Sequence, residues 1–128
     1  MIKTQFTMYL SNEAGALAGI TKAFTQAKIN IVGISIAETS DVSLVQVIVS
    51  NAEKVRRILK KGGVHFSEQQ VAVLEMADKP GALAGVAAKL AKKKININYL
   101  YATAPPRGSA DKCLVVISTD DLSKVKKL

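Results

Sequence analysis

The stretch of sequence that decides the fold occurs twice. Residues 12–37 read NEAGALAGITKAFTQAKINIVGISIA, and residues 78–103 read DKPGALAGVAAKLAKKKININYLYAT. The two stretches are offset by 66 residues without a gap, and nine of their 26 aligned positions are identical. The identities form two blocks in one register, Gly-Ala-Leu-Ala-Gly and Lys-Ile-Asn-Ile. Such self-similarity indicates an internal duplication.

Each copy predicts the same succession of strands and helices, from alternating apolar residues in the strands and apolar stripes in the helices. The elements predicted for the first copy are a strand at 5–10, a helix carrying Leu17, Ile20, Phe24 and Ala27, strands at 29–38 and 43–50, a helix carrying Val55, Ile58 and Leu59 that ends at Gly62-Gly63, and a short strand at 64–66. Those predicted for the second are strands at 71–76, 95–102 and 113–118, helices carrying Leu83, Val86 and Leu90 and then Leu122, Val125 and Leu128, and a long hairpin loop at 105–109.

This order is β-α-β-β-α-β, the split βαβ arrangement of ferredoxin-like folds. We therefore expect an α+β protein of two tandem ferredoxin-like units, each with an antiparallel sheet and both helices on one face. The expected domains are 1–67 and 68–128. The second copy lacks the last strand, so its sheet edge is short, is filled by another segment, or belongs to an incomplete sequence.

Local motifs suggest how the helices begin. Asn12 and Asp78 are residue types that cap helices, and Ser50-Asn51-Ala52-Glu53 fits a capping box before the second helix. Gly19 and Gly85 favour close packing of helix on sheet over contact with a ligand.

Size and composition limit the function. The chain has 128 residues, 48% of them hydrophobic, which suits one ordinary domain or two very small ones. Modules of about 64 residues are marginally stable alone, so we expect association between copies or chains. The sequence contains no apolar run of membrane-spanning length and no secretory leader, which predicts a soluble, cytoplasmic protein.

Charge raises a nucleic-acid hypothesis. Lys and Arg exceed Asp and Glu by 18 to 10, a net charge of +8. The excess is shared equally by the two halves of the chain, and the densest runs lie in predicted helices or at their ends. The pattern favours solvated helix faces over a nucleic-acid-binding patch.

No catalytic or metal-binding constellation is visible. With one cysteine, Cys113, and one histidine, His65, a disulfide framework or a zinc site with several Cys and His ligands is excluded. Cys113 lies in an apolar strand, where an inert thiol is expected. Gly-Ala-Leu-Ala-Gly lacks the Gly-Lys-Ser/Thr ending of a phosphate loop and the spacing of a dinucleotide fingerprint. We expect neither enzymatic activity nor a cofactor or metal.

Asp78-Lys79-Pro80-Gly81-Ala82-Leu83, followed by Ile95-Asn96-Ile97, resembles the ACT domain, a small regulatory module that binds amino acids. The first copy matches less closely, with Ala14 in place of the proline, and both copies carry lysine, Lys28 and Lys94, where the family often has glycine. The resemblance covers nearly the whole chain as two ACT-like units.

The resemblance implies a ligand site where the first helix of each unit begins. A ligand carboxylate would meet the free N–H groups and positive end of that helix, and Asp78 or the Asn12 carbonyl would accept from its ammonium group. The candidate ligand-binding residues are Asn12, Ala14, Gly15, Ala16, Leu17, Asn30, Ile31, Asp78, Pro80, Gly81, Ala82, Leu83, Asn96 and Ile97. Asn30 and Asn96 are expected at the same polar end, in a pocket that both copies or two chains complete.

The resulting prediction is a dimeric amino-acid sensor that regulates an enzyme in trans. Two alternatives stay open. RNA-recognition modules share the topology and stack bases on strand aromatics, for which Tyr99 and Tyr101 are the only candidate pair. Alternatively, the chain is an assembly module whose ligand site has decayed, as Ala14 suggests more for the first copy than for the second.

Overall fold

The computed structural model describes residues 1–105 and 108–126, so Pro106 and Arg107 of the predicted hairpin loop and Lys127 and Leu128 of the predicted last helix lie outside it. The elements along the chain are β1 (Ile2–Ser11), α1 (Ala16–Gln26), β2 (Ile31–Glu38), β3 (Val42–Val49), α2 (Ala52–Lys61), β4 (His65–Ala77), α3 (Ala82–Lys92), β5 (Tyr99–Thr103), β6 (Lys112–Ser118) and α4 (Leu122–Val125). This order confirms the predicted α+β class.

The chain forms two compact units, which we call unit A (Thr4–Gln69) and unit B (Met1–Lys3 with Gln70–Leu128). Each of the strands β1 and β4 therefore has one part in unit A and the other part in unit B. The division into domains 1–67 and 68–128 remains a prediction.

Unit A has the strand order β2-β3-β1-β4, with β3 antiparallel to both β1 and β2. Phe6 pairs with Val47 across β1 and β3, and both are fully buried in one core with Phe24 of α1 and Leu59 of α2. Both helices therefore cover the same face of the sheet, as predicted. On the other face of the sheet, Gln5 is buried opposite Ile48.

Unit B repeats the arrangement around β4, β6 and β5, and its edge is completed by the beginning of the chain. The N–H of Val73 donates to the carbonyl of Met1 at 2.8 Å, and the Met1 amino group donates to the carbonyl of Val73 at 3.2 Å. Ile2 packs against the core formed by Ala72, Leu90, Ile95, Val115, Ile117 and Val125. Of the three explanations for the missing strand, the structure shows the second: another segment fills its place.

The strands predicted at 64–66 and 71–76 are one continuous strand, β4. Between them the sequence reads Ser-Glu-Gln-Gln, which contains no glycine or proline to break an extended backbone. β5 is shorter than predicted, since it begins at Tyr99 and not at Ile95.

The predicted caps at Asn12 and Asp78 are wrong. The N-cap positions of α1 and α3 are Gly15 and Gly81, in left-handed conformation with φ of 92° and 88°, and neither helix has a side-chain cap. Only glycine adopts this conformation at little cost, so a glycine turn replaces the side-chain cap. At α2 the cap is Asn51, whose side chain accepts from the Lys54 N–H at 3.0 Å.

Lys28 and Lys94, at the family's frequent glycine, occupy the left-handed region with φ of 58° and 57°. In unit A the N–H of Ile29 donates to the Phe24 carbonyl at 2.9 Å, and the N–H of Lys28 donates to the Thr25 carbonyl at 3.0 Å. These bonds form a Schellman motif, which usually has glycine at the left-handed position. Unit B repeats both bonds, so the lysines are strained equally in the two copies.

The expected packing role of Gly19 and Gly85 is also wrong. Both glycines are exposed, and a Cβ added to either would meet no atom within 4 Å. Neither glycine has a positive φ. Both therefore weaken their helices without a packing reason inside the chain.

Candidate functional site

The loops before α1 and α3 have the same backbone structure. The N–H of Ala16 donates to the Glu13 carbonyl at 3.3 Å, and the N–H of Ala82 donates to the Lys79 carbonyl at 3.2 Å. Each loop is also bonded to the hairpin that follows in its unit, through Asn12 N–H to the Asp41 carbonyl at 3.3 Å and Asp78 N–H to the Asp111 carbonyl at 2.9 Å. We call these the Asn12 loop (residues 12–15) and the Asp78 loop (residues 78–81).

Each loop leads into a helix whose first amides are available to a ligand. The N–H groups of Leu17 and Ala18 in α1, and of Leu83 and Ala84 in α3, have no acceptor among the described residues. Small residues surround them, because Ala14, Pro80 and both N-cap glycines lie in the exposed loops and Ala16 and Ala82 open the helices. Unpaired amides at the positive end of a helix suit a carboxylate.

In the Asn12 loop, the polar side chains already have hydrogen-bond partners within unit A. The Asn12 amide nitrogen donates to Glu38 Oε1 at 3.3 Å, and its oxygen accepts from the Ser43 hydroxyl at 3.4 Å. Ser11 donates to Glu13 Oε1 at 3.0 Å. Sequence reasoning missed Glu38 and Ser43, since only their positions beside the predicted β2–β3 turn could have pointed to them.

The Asp78 loop presents a free acid. The Asp78 side chain is exposed, and its carboxylate has no hydrogen-bond or ion-pair partner among the described residues. Leu83 is also 45% exposed, whereas its counterpart Leu17 packs against the core of unit A. The two loops share a backbone but differ in what they offer a ligand.

Asn30 and Asn96 do not lie at these loops within their own units. Each follows the C-terminal end of its helix, and an 11-residue helix is about 16 Å long. The N–H of Asn30 donates to the Ser50 hydroxyl at 2.9 Å, and the Asn96 carbonyl accepts from the Thr119 hydroxyl at 2.7 Å. The expectation of a shared polar end therefore fails inside a unit.

The residues that follow these asparagines serve the cores. Ile31 packs against the core of unit A, and Ile97 packs against that of unit B. Inside a unit, therefore, the structure brings together only the loop and helix-start members of the predicted set.

The aromatic pair offers no open platform for bases. The rings of Tyr99 and Tyr101 stack on each other with centroids 6.5 Å apart and an interplanar angle of 12°. Both side chains are partly buried, and burial raises the pKa of the Tyr101 hydroxyl. Val116, which pairs with Tyr101 in the sheet, is fully buried.

The one cysteine and the one histidine of the chain lie on different strands, β6 and β4. Cys113 is a half-buried free thiol opposite Met76, and His65 is exposed at the start of β4. Among residues 1–105 and 108–126, no group of His, Cys, Asp and Glu side chains could hold a metal ion. No helix in the described part of the chain has the length and apolarity needed to cross a membrane.

Solved structures share this architecture. Protein BT0572 from Bacteroides thetaiotaomicron matches with a TM-score of 0.90 and 28% identity, over 99% of this chain and 85% of that chain. The regulatory subunit of aspartate kinase from Thermus thermophilus matches with a TM-score of 0.66 and 13% identity, over 91% of this chain and 82% of that one. The corresponding subunit from Thermus flavus matches with a TM-score of 0.60 and 14% identity, over 91% and 82%.

No curated protein matches the sequence. The family model described as "ACT domain pair" matches residues 1–128, the whole chain. With two units of the β-α-β-β-α-β type built on one duplicated loop–helix motif, this chain belongs to the ACT domain pair family.

Proposed function

We propose that this protein is a non-catalytic regulator that binds a small amino acid and acts on a partner enzyme in trans. The family membership supports a regulatory module, and the structural neighbours include regulatory subunits of aspartate kinase. Those neighbours are under 25% identical to this chain, so the similarity shows a shared fold and nothing more. The choice of an amino-acid ligand comes from the family, and the loop chemistry supports it.

The observation that carries the proposal is the free Asp78 carboxylate in a loop that opens onto unpaired helix amides. An amino acid presents an anion and a cation on one carbon atom. Its carboxylate would accept from the Leu83 and Ala84 N–H groups, and its ammonium group would donate to Asp78. The lack of a side chain at Gly81 lets the ligand approach the backbone closely.

The Asn12 loop is the weaker candidate. An ammonium group there would meet the neutral amide oxygen of Asn12, which already accepts from Ser43. The neighbouring Glu38 carboxylate already accepts from the Asn12 amide nitrogen. Binding would have to displace bonds that the Asp78 loop does not contain. We therefore assign the stronger site to Asp78, Pro80, Gly81, Ala82 and Leu83, with Asn12, Ala14, Gly15, Ala16 and Leu17 as its counterpart.

Regulation requires that the ligand bind one arrangement of the protein better than another, since equal affinity for two states shifts nothing. We propose a cytoplasmic homodimer in which ligand binding changes the affinity for the enzyme. If the ligand changed neither the oligomer nor the affinity for the enzyme, the regulatory role would fail although binding stood.

A thermal-unfolding screen against the twenty amino acids, with single-stranded RNA and DNA as comparators, tests the proposal. A ligand at about a hundred times its dissociation constant stabilises by roughly 2.7 kcal/mol, which raises the midpoint by several degrees. We expect a selective rise with one or two amino acids, lost in Asp78→Ala and kept in the neighbouring control Lys79→Ala. A salt-sensitive rise with nucleic acid alone would support RNA binding instead. No rise with any compound would favour an assembly module.

A further inference from the structure

The charged residues of unit A are separated by sign between its helices and the rest of the unit. All seven of its lysines and arginines lie on α1, on α2 or just after α1: Lys22, Lys28, Lys54, Arg56, Arg57, Lys60 and Lys61. Of its five acids, four lie on strands and in loops: Glu13, Glu38, Asp41 and Glu68. The fifth, Glu53, lies on α2. Seven cations and one acid give the helices a formal charge of +6, and the other four acids give the rest of unit A a charge of −4.

Six of these cations point into solvent and form one surface on two neighbouring helices. Arg56 is the exception, because it is half-buried and donates to Glu68. The Lys54 ammonium group donates to the Ala27 carbonyl at 3.4 Å, so the beginning of α2 lies beside the end of α1 and beside Lys28. We call the six exposed residues the basic helix face: Lys22, Lys28, Lys54, Arg57, Lys60 and Lys61.

The order of charges along α2 differs from that of an ordinary solvated helix, in which opposite charges three and four residues apart attract each other. Lys54 and Arg57 are three residues apart, and Arg57 and Lys61 are four apart. Like charges at these spacings destabilise a helix, and Glu53 is the only acid that opposes them. A sequence that gives up local stability to keep cations together indicates that they serve another purpose, such as binding.

Lys28 gives a second and independent indication. It has φ of 58°, a conformation that glycine adopts at little cost and lysine does not. The negative end of α1 attracts a cation, but a lysine at Gln26 or Ala27 would gain the same attraction without the strain. The Lys28 side chain is exposed and has no bonding partner in the part of the chain that the structure describes. A strained residue without an internal role points to a contact outside the chain.

We propose that the basic helix face is the surface that binds the partner enzyme, and that the enzyme presents a cluster of Asp and Glu side chains to it. This inference rests on the regulatory role proposed above and names the surface through which that role is exerted. A charge of +6 attracts an acidic surface and orients the encounter. The acids on the rest of unit A repel the same surface, so the enzyme meets unit A at its helices.

An acidic protein surface fits this face better than a nucleic acid does. Single-stranded nucleic acids stack their bases on aromatic side chains. The one aromatic residue of α1 and α2 is Phe24, and it is buried in the core. Glu53 would repel phosphate groups, whereas it can pair with a cation on a protein surface that carries both signs.

Binding of a fluorescein-labelled oligo-glutamate peptide, followed by fluorescence anisotropy at low salt, tests the proposal. The disrupting variant is the double substitution Arg57→Glu with Lys61→Glu, and its matched control is Lys3→Glu with Lys112→Glu. All four residues are exposed, and each pair lowers the net charge from +8 to +4, but the control residues belong to unit B. We expect the helix-face variant to bind the peptide at least tenfold more weakly than the control does, with an unchanged circular dichroism spectrum.

Lys28→Gly separates binding from folding, because it removes one cation of the face and relieves backbone strain at the same position. We expect its peptide affinity to fall about two- to threefold although the protein becomes more stable. Lys94→Gly is the matched control, since Lys94 is the equivalent strained lysine of unit B. It should gain stability in the same way and keep the affinity of wild type.

Equal peptide affinities in the two double variants would show attraction to net charge alone and would overturn the proposal. Absence of peptide binding to wild type, or tighter binding of an oligo-uridine of the same length, would do so as well. The result is separable from amino-acid binding, which is assigned to the Asp78 loop of unit B and is measured by the thermal screen. Peptide binding at the helix face without stabilisation by any amino acid would support this surface and contradict the proposed amino-acid sensor.

Discussion

Val73 and Met1 exchange two backbone hydrogen bonds, of 2.8 and 3.2 Å, at the place where the second copy of the duplication has no strand of its own. The first copy ends with a strand that lies beside its own first strand, and in unit B the beginning of β1 takes that role. Unit B is therefore complete only with residues from the opposite end of the sequence.

Ile2→Ala should destabilise the protein by about 1–2 kcal/mol, because Ile2 packs partly buried against the core of unit B. Lys3→Ala, at an exposed neighbouring position, is the control and should change little. Denaturant unfolding gives the free energies, and hydrogen exchange at the Val73 amide locates the effect. An unchanged exchange rate at Val73 in Ile2→Ala would show that the pairing does not depend on this packing.

Lys28→Gly and Lys94→Gly should each stabilise the protein by about 0.5–1 kcal/mol. Both lysines have φ near 58°, a conformation that costs a residue with a side chain roughly 1–2 kcal/mol. Glycine removes this cost but loses more backbone entropy on folding, so only part of the cost is recovered as stability. Lys22→Gly, inside α1, should instead destabilise by about 1 kcal/mol. If denaturant unfolding showed stability changes of the same sign for Lys22→Gly and Lys28→Gly, the inferred backbone strain at Lys28 would be refuted.

Two glycines of one helix should respond oppositely to alanine. Gly19→Ala should stabilise by roughly 0.5–1 kcal/mol, since the added methyl group meets open space and removes a helix-weakening glycine. Gly15→Ala should destabilise by about 1–2 kcal/mol, because φ at Gly15 is 92°. Gly85 and Gly81 form the equivalent pair in unit B. Thermal unfolding midpoints decide the signs, and a loss of stability in Gly19→Ala would contradict the open environment.

Glu68→Gln should be slightly less stable than wild type at pH 7, and this difference in stability should disappear in acid. Arg56 donates to Glu68 at 2.7 and 2.8 Å, and these hydrogen bonds lower the pKa of the Glu68 carboxyl. A lowered folded-state pKa stabilises the protein above the unfolded-state value, about 4.3, and this contribution is lost as the pH falls through the folded-state pKa. The effect is small because the two side chains are 36% and 32% exposed.

Urea unfolding of wild type and Glu68→Gln at pH 7 and pH 3 measures this difference, with Glu75→Gln as a control for the loss of one exposed carboxylate on the same strand. If the stability lost in Glu68→Gln grew as the pH fell, the result would contradict a lowered pKa of the Glu68 carboxyl.

The duplication made most of the fold predictable, because each copy independently indicates the same strands and helices. What sequence reasoning missed depends on contacts between distant residues. The place of Met1–Lys3 cannot be read from three residues without a pattern of their own, and the continuity of β4 depends on pairing across four polar residues. The caps at Asn12 and Asp78 were wrong because a glycine three residues later begins each helix.

The candidate site was predictable only in part. The residues at the helix starts were placed together correctly, since they are neighbours in sequence. Asn30 and Asn96 lie at the far end of the helix from the loop of their own unit, and their place in a pocket completed by both copies or two chains stays a prediction. The Asn12 bonds to Glu38 and Ser43 cross 26 and 31 residues and have no local signal.

The central claim is that an amino acid binds at the Asp78 loop, and calorimetric titration of the amino acid that raises the unfolding midpoint tests it most directly. Wild type, Asp78→Ala, Asn12→Ala and the control Glu75→Ala are compared. Loss of a charge-assisted hydrogen bond worth about 1.5–3 kcal/mol predicts at least a tenfold weaker affinity in Asp78→Ala, with Asn12→Ala and Glu75→Ala close to wild type. Equal affinities in wild type and Asp78→Ala, or a loss confined to Asn12→Ala, would contradict the account.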